Sequence, residues 1–229
     1  MTSQFGEDGV LRAIFERIGV RRNWFVEFGA WDGEHLSNCF TLLRDQRWSG
    51  VMIECDPAKA AGLRRTAARF PGLHAIEATV QVSGPNSLAH LLAGTQTPRD
   101  FDVLSIDVDN DDYFLWDAFK GYRPRVVVLE VNTEFGPDMV KLPELNYRGW
   151  SHRTGCSFAA AVQLAKRKGY ELALHTGNCI FVERQYATLL EIDTDGWRSL
   201  FDDSPAIKGV AKKLRTYAGD LAHGRVAFH

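Results

Sequence analysis

The chain has 229 residues, 45% hydrophobic and 24% charged, an ordinary globular composition that excludes disorder and buries enough surface to fold without staples. Lys plus Arg number 27 and Asp plus Glu 29, a formal charge of -2, so no basic excess points to nucleic acid or an anionic membrane. No apolar run approaches the roughly 18 residues of a membrane span.

In chain order, Val10, Leu11, Ile14, Phe15 and Ile18 share one face at helical spacing, and Gly19 stops that helix. A strand follows at Trp24–Phe28, then a helix over Leu36–Arg47, a strand at Val51–Glu54 and a helix over Ala58–Arg69. His74–Val80 reads as a strand, Ser87–Leu92 as a short helix, Val103–Val108 as a strand, Asp111–Phe119 as a helix and Val126–Val131 as a strand. Residues 133–157 are turn-rich, with Gly136-Pro137, Pro143, Gly149 and Gly155, and so long a loop is usually functional. Helix Phe158–Lys168 ends at Gly169, and strands Glu171–Leu174 and Cys179–Glu183 close the series. The tail from about Glu191 reads as helical pieces packed on the core.

Several strands are apolar at consecutive positions, as strands buried on both faces are. Helices between them imply right-handed crossovers and a mainly parallel, seven-stranded sheet in a three-layer α/β sandwich. The short turn His175-Thr176-Gly177-Asn178 forces the last two strands into an antiparallel hairpin. One domain is expected over 1–229: an N-terminal helical segment 1–22, a core 23–185 and a helical tail 186–229. Cys39, Cys55, Cys156 and Cys179 lack C-x-x-C spacing, which speaks against a zinc ribbon or a thioredoxin-like motif. Four reduced thiols and a polar, acidic start point to a cytoplasmic protein without a secretory signal.

The first strand runs into Glu27-x-Gly29-Ala30-x-x-Gly33, followed by a helix. Open α/β sheets bind ligands at the carboxyl ends of their strands, where strand order switches, and glycine permits close backbone approach. A generic strand-to-helix turn has the same pattern. About 20 residues on, Glu54 closes the second strand, where an acid accepts ribose hydroxyls. A nicotinamide dinucleotide site would share that acid, but its loop would read G-x-G-x-x-G around a pyrophosphate. Here Trp31, Asp32 and Glu34 crowd the loop. Carboxylates there would repel a pyrophosphate and tolerate a cationic sulfonium, which favours S-adenosylmethionine (SAM) over NAD.

The fourth strand leads into Asp107-Val108-Asp109-Asn110-Asp111-Asp112, and the fifth ends in Glu130-Val131-Asn132. Carboxylates so clustered are costly without a cation or a hydrogen-bond network. Asp107, Asp109, Glu130 and Asn132 therefore offer an all-oxygen set suited to Mg²⁺ or Ca²⁺. Alternatively Asp107 and Asp109 orient cofactor or substrate, while Asp111 and Asp112 favour the next helix's N-terminus. His152 in the long loop has the titration range of a general base, although a surface role is open to it. Trp31, Tyr147 and Trp150 are candidates for an acceptor pocket or for plain packing.

These stretches resemble the FkbM-type methyltransferases. The resemblance is carried by Ser3–Gly9, Phe25–Asn38, Trp48–Glu54, Leu104–Tyr113, Arg125–Asn132 and Lys168-Gly169-Tyr170, in order and at matching spacing. It implies the class I SAM-methyltransferase (Rossmann-like) fold, whose sheet also ends in an antiparallel hairpin strand. It implies SAM as donor and transfer to an oxygen, often a sugar hydroxyl. By position, Glu27, Gly29, Ala30 and Gly33 would surround the methionine part, and Gln4 and Asn38 would contact its carboxylate. Glu54 would hold the ribose, and Asp107 would sit beneath the methyl. Two departures stand out: Asn110, where the family often has Gly, and the segment Thr154-Gly155-Cys156-Ser157-Phe158. The expected acceptor is a sugar, glycan or small natural product, with Asp107, Asp109 and His152 as catalytic candidates. A homo-oligomer remains open. An NAD-linked oxidoreductase and a non-catalytic methyltransferase-like binding protein are the competing readings.

Overall fold

A computed structural model of the chain describes residues 2–145 and 154–202. Helix α1 spans Glu7–Ile18, β1 Trp24–Phe28, α2 Phe40–Gln46, β2 Ser49–Glu54, α3 Pro57–Arg69 and β3 Leu73–Glu77. Next come α4 Leu88–Ala93, β4 Val103–Ile106, α5 Asp112–Ala118, β5 Val126–Glu130, α6 Phe158–Lys168, β6 Tyr170–His175 and β7 Asn178–Glu183. Sequence signals explain several of the ends. Asp56 caps α3 by accepting from the Ala58 and Lys59 amides, with Pro57 in the first turn. Ser157 caps α6, and Gly169 closes it in a left-handed conformation.

The sheet has the order β3-β2-β1-β4-β5-β7-β6. The strands β1 to β5 pair parallel, and β7 pairs antiparallel with both β5 and β6. This is the class I SAM-methyltransferase fold. Alternate strand residues feed opposite layers. Val26, Phe28, Leu104, Ile106, Val127 and Leu129 pack with side chains of α4, α5 and α6. Phe25, Val103, Val126 and Val128 pack with those of α1, α2 and α3. Among the described residues no helix is long and apolar enough to cross a membrane.

The largest strand differences from the expected elements fall at carboxyl ends. β3, β4 and β5 stop at Glu77, Ile106 and Glu130, short of the expected Val80, Val108 and Val131, because apolar side chains continue past the last paired residue into the loops. Helix α2 starts at Phe40 rather than Leu36. Leu36 takes a positive φ of 55°, and the Ser37 hydroxyl accepts from the amides of Cys39 and Phe40. Of the tail expected to be helical, Trp197–Leu200 forms a short 3-10 turn; everything beyond Asp202 lies outside the described residues.

At the amino edge of the sheet, Arg125 and Asp102 form a buried ion pair of 2.9 Å. The guanidinium also donates to the Ile18 and Gly19 carbonyls and to Tyr186 Oη. Asp102 accepts from the amides of Arg21 and Arg22. Removing one partner of such a pair strands a charge, whereas replacing both is often tolerated. Arg125→Ala is expected to lower stability by about 3–5 kcal/mol in urea unfolding, and by clearly less when combined with Asp102→Ala.

Candidate functional site

The order of strands reverses between β1 and β4, which opens a crevice at their carboxyl ends. Gly29 ends β1 there at φ 76°, and a Cβ on it would sit 1.6 Å from the Asp107 carbonyl oxygen. Only glycine fits. The amides of Gly29 and Ala30 both donate to the Ile53 carbonyl, fastening the turn to β2. Glu54, at the end of β2, accepts from the Trp31 amide with one oxygen and the Asp56 amide with the other, each at 2.8 Å. Each oxygen retains a lone pair, so Glu54 stands at the rim beside the loop with acceptor capacity left for a hydroxyl.

The other glycine of the loop has a different reason. A Cβ on Gly33 (φ 83°) would meet Leu63 Cδ1 at 2.8 Å and Met52 Sδ at 3.1 Å. Gly33 therefore lets the loop pack on α3 and β2. The charges of the loop are only partly matched. Asp32 closes a turn by accepting from the Glu34 and His35 amides, while Glu34 bonds Thr66 and pairs with Arg69 on α3. Trp31 has a positive φ of 51°, and Lys59 Nζ lies 3.9 Å from its ring centroid. Glu34 is thereby matched by Arg69, while Asp32, held by amides alone, leaves the expected repulsion of a pyrophosphate to one carboxylate.

Beneath the loop lies a buried polar network. Glu27 accepts from Ser37 Oγ at 2.6 Å and from the Asn38 amide at 2.8 Å. Burial pushes its carboxyl up, against these hydrogen bonds, which pull it down. Asn38 Nδ2 donates to Ser105 Oγ at 3.0 Å, but Asn38 Oδ1, although buried, has no hydrogen-bond partner among the described residues. Glu27 thus shapes the loop from below, and Asn38 brings a spare polar atom. The Ser3–Leu36 bridge lays the N-terminal segment, with half-buried Gln4, beside this loop.

The sequence reading missed Glu7. It is fully buried and accepts from the Phe5 amide, Thr176 Oγ1 and Asn178 Nδ2, tying the N-terminal segment to the β6–β7 turn. Two acids in the first turn of a helix normally signal only a favourable dipole. The sole hint was that they sit beside the apolar face of α1.

The acidic turn after β4 completes the site. The Asp107 amide donates to the Phe28 carbonyl, and its half-buried carboxyl is pushed well above the usual range, first by burial and then by Asp109, Asp112, Glu27 and Glu7. Asp109 is exposed, with a left-handed φ of 70°. Asp112 is 1% exposed and accepts from the Val108 amide at 2.8 Å. Its second oxygen has no hydrogen-bond partner among the described residues. Burial raises this carboxyl to about 7, with backbone bonds opposing and Asp109 and Asp111 adding.

The expected metal set is not assembled. Among the described residues no three His, Cys, Asp or Glu side chains are grouped so as to hold a metal ion. The Asn132 amide is committed elsewhere, donating to the Thr154 carbonyl and accepting from the Glu134 amide. Glu130 faces Asn178 across the β5–β7 pair. His152, Tyr147 and Trp150 lie outside the described residues. All four cysteines are free thiols.

No family model and no curated protein matches this sequence. Among solved structures, the chain is similar to the [4+2]-cyclase SpnF at 14% identity and a TM-score of 0.48, over 93% of this chain and 76% of that one. It is similar to an S-adenosylmethionine-dependent methyltransferase from Clostridium acetobutylicum ATCC 824 at 8% identity and a TM-score of 0.47, over 79% and 92%. It is also similar to the citrinin polyketide synthase CMeT domain at 11% identity and a TM-score of 0.44, over 70% of this chain. The chain spans 46% of that domain's own length.

The raised Asp112 carboxyl has a consequence for stability. A carboxyl at about 7 in the folded chain, against an ordinary aspartate near 3.8, binds its proton more tightly when folded. Its penalty is absent below about pH 4 and grows as pH rises through 7. Asp112→Asn keeps an acceptor for the Val108 amide and removes the charge. The variant is expected to be more stable than the native chain by on the order of 2–4 kcal/mol near pH 8 and nearly equal to it near pH 4, as read by urea unfolding at both.

Proposed function

We propose that the chain is a SAM-dependent O-methyltransferase acting on a hydroxyl of a sugar, glycan or small natural product. The observation that carries the reading is the acidic turn Asp107–Asp112, joined to the end of β1 by the Asp107 amide on the Phe28 carbonyl, with buried Glu27 held beneath the same loop. Carboxyl groups crowded in a crevice favour a cation, which lets them ionise. SAM carries a sulfonium and an ammonium, and both suit such a site. The two phosphates of a dinucleotide do not, so this cluster adds to the discrimination expected of the loop.

The residues present fit the donor. The Gly29 contact brings the ends of β1 and β4 together at the crevice, and Asn38 Oδ1 is a buried polar atom lacking a partner among the described residues. Glu54 would take the ribose hydroxyls, with Gln4 and Asn38 near the methionine end and Ala30 in the turn between. Bound there, SAM supplies an electrophilic methyl. The protein's share is alignment of the acceptor oxygen and removal of its proton, for which Asp107, Asp109 and His152 are the candidates. A carboxyl held above its usual range is suited to accept that proton near neutral pH. O- rather than N-transfer follows the FkbM-type resemblance, and the free cysteines agree with a cytoplasmic setting.

Titration calorimetry with SAM and with NAD tests the reading. A cation favours the ionised form of Asp107, so binding should lower its raised pKa and release a proton. SAM affinity is then expected to rise with pH up to that pKa. The released proton shows as a heat that differs between buffers of different ionisation enthalpy. Asp107→Asn is expected to weaken SAM by about tenfold, about the 1.4 kcal/mol of one lost charge contact. Mass spectrometry of SAM with a panel of sugars and small natural products should then show a methyl mass gain. Binding of NAD with none of SAM would sink the proposal.

A further inference from the structure

Asn110 stands where the related pattern often has glycine. The backbone gives no reason for glycine there: Asp109 is the residue of this turn with positive φ, and Asn110 is not among them. Its side chain is 7% exposed and fully used. Nδ2 donates to the Glu144 carbonyl at 2.9 Å and to Asp111 Oδ1 at 2.8 Å, and Oδ1 accepts from the Gly155 amide at 3.3 Å. Both amide donors and one acceptor site are therefore engaged.

The two backbone groups it reaches belong to different segments. Glu144 lies in the strap 133–145, the described part of the connection after β5, and Gly155 lies in the turn before α6. The middle of the strap is anchored elsewhere. Lys141 and Ser157 exchange two hydrogen bonds, at 2.9 and 3.0 Å, and Asp138 pairs with Arg198. Asn110 ties Glu144 of the strap to the acidic turn. The strap also carries Met139, Val140, Leu142 and Leu145, four large aliphatic side chains exposed by 41–53%.

We infer that Asn110 is a positioning residue: it locks the strap 133–145 and the Gly155 turn onto the acidic turn, setting the acceptor-side wall of the crevice relative to the donor-side carboxylates. A glycine would supply none of the three bonds, so the lock is a property of this chain rather than of the related pattern. The word acceptor rests on the methyltransferase reading; the lock does not. The cofactor groups Gly29, Asn38 and Glu54 lie on β1, β2 and their loops, outside the lock, and Asp107 is held by its own amide bond to the Phe28 carbonyl. The lock thus governs which acceptor is admitted and leaves donor affinity alone.

Hydrogen exchange by mass spectrometry on the full chain, with SAM calorimetry alongside, tests this on Asn110→Ala and Asn110→Asp. In Asn110→Ala, amides of the strap and of residues 155–157 should exchange about ten- to a hundredfold faster, the range expected when backbone hydrogen bonds lose their partner. Peptides of the 27–38 loop, and SAM affinity, should stay within about twofold, as for sites that do not share contacts. Asn110→Asp still accepts from the Gly155 amide but donates nothing to Glu144. Its strap should loosen while the Gly155 amide stays protected, a split that general destabilisation does not produce. Unchanged strap exchange in Asn110→Ala, or acceleration spread equally through β1 and β4, overturns the inference. Failure of the native chain to bind SAM would count against the methyltransferase reading and leave the exchange result to judge the lock.

Discussion

The site depends on one close contact, the Cα of Gly29 against the carbonyl of Asp107. No side chain fits between them, so the carboxyl ends of β1 and β4 meet at backbone distance. Their register, Phe28 against Ile106, then aims the loops that follow each strand at a common crevice. On the other side of β1, the Ile53 carbonyl takes both the Gly29 and Ala30 amides. Three strands are thereby fixed around one turn, and Glu27, Glu54 and Asp107 come to surround it.

That geometry forces acidic groups together, and the two edges of the sheet handle them differently. At the amino edge, Asp102 is answered by a guanidinium and two amides, and the Arg125 fork closes on backbone carbonyls. This is a structural knot with its charges matched. At the carboxyl edge, Glu27 is held by a hydroxyl and an amide, Glu7 by an amide, a hydroxyl and a carboxamide, and Asp112 by one amide. These are neutral donors. They orient the carboxyls without cancelling their charge, and burial, with the neighbouring carboxylates adding to it, pushes Asp107 and Asp112 upward. Such a cost at one edge is what the SAM site proposed above would draw on.

The α/β alternation, the seven strands and the closing antiparallel hairpin were legible in the residues because period and turn chemistry are local. Trp24–Phe28 and Phe158–Lys168 came out with their observed bounds, as did the stop at Gly169. Strand ends were less legible. At Val80, Val108 and Val131 the apolar pattern continues where the neighbouring strand has stopped, and pairing belongs to two strands rather than one. Helix α2 was read too early for a related reason: Ser37 and Asn38 are taken by Glu27, ten residues back along the chain.

The sequence by itself determined the class of fold, the place of the crevice and the acids around it, since each follows from short-range pattern and from the rule that parallel sheets bind at their carboxyl ends. Only the tertiary structure decided what each polar group faces. Gly33 turned out to be a packing glycine and Glu34 a partner of Arg69 on α3. Glu7, unremarkable on paper, became a buried link to the β6–β7 turn, and Asn110 joined three segments that sequence keeps apart. A carboxylate reads the same in the chain whether it will meet a guanidinium, an amide or another carboxylate; its meaning is set by neighbours that only folding brings within reach.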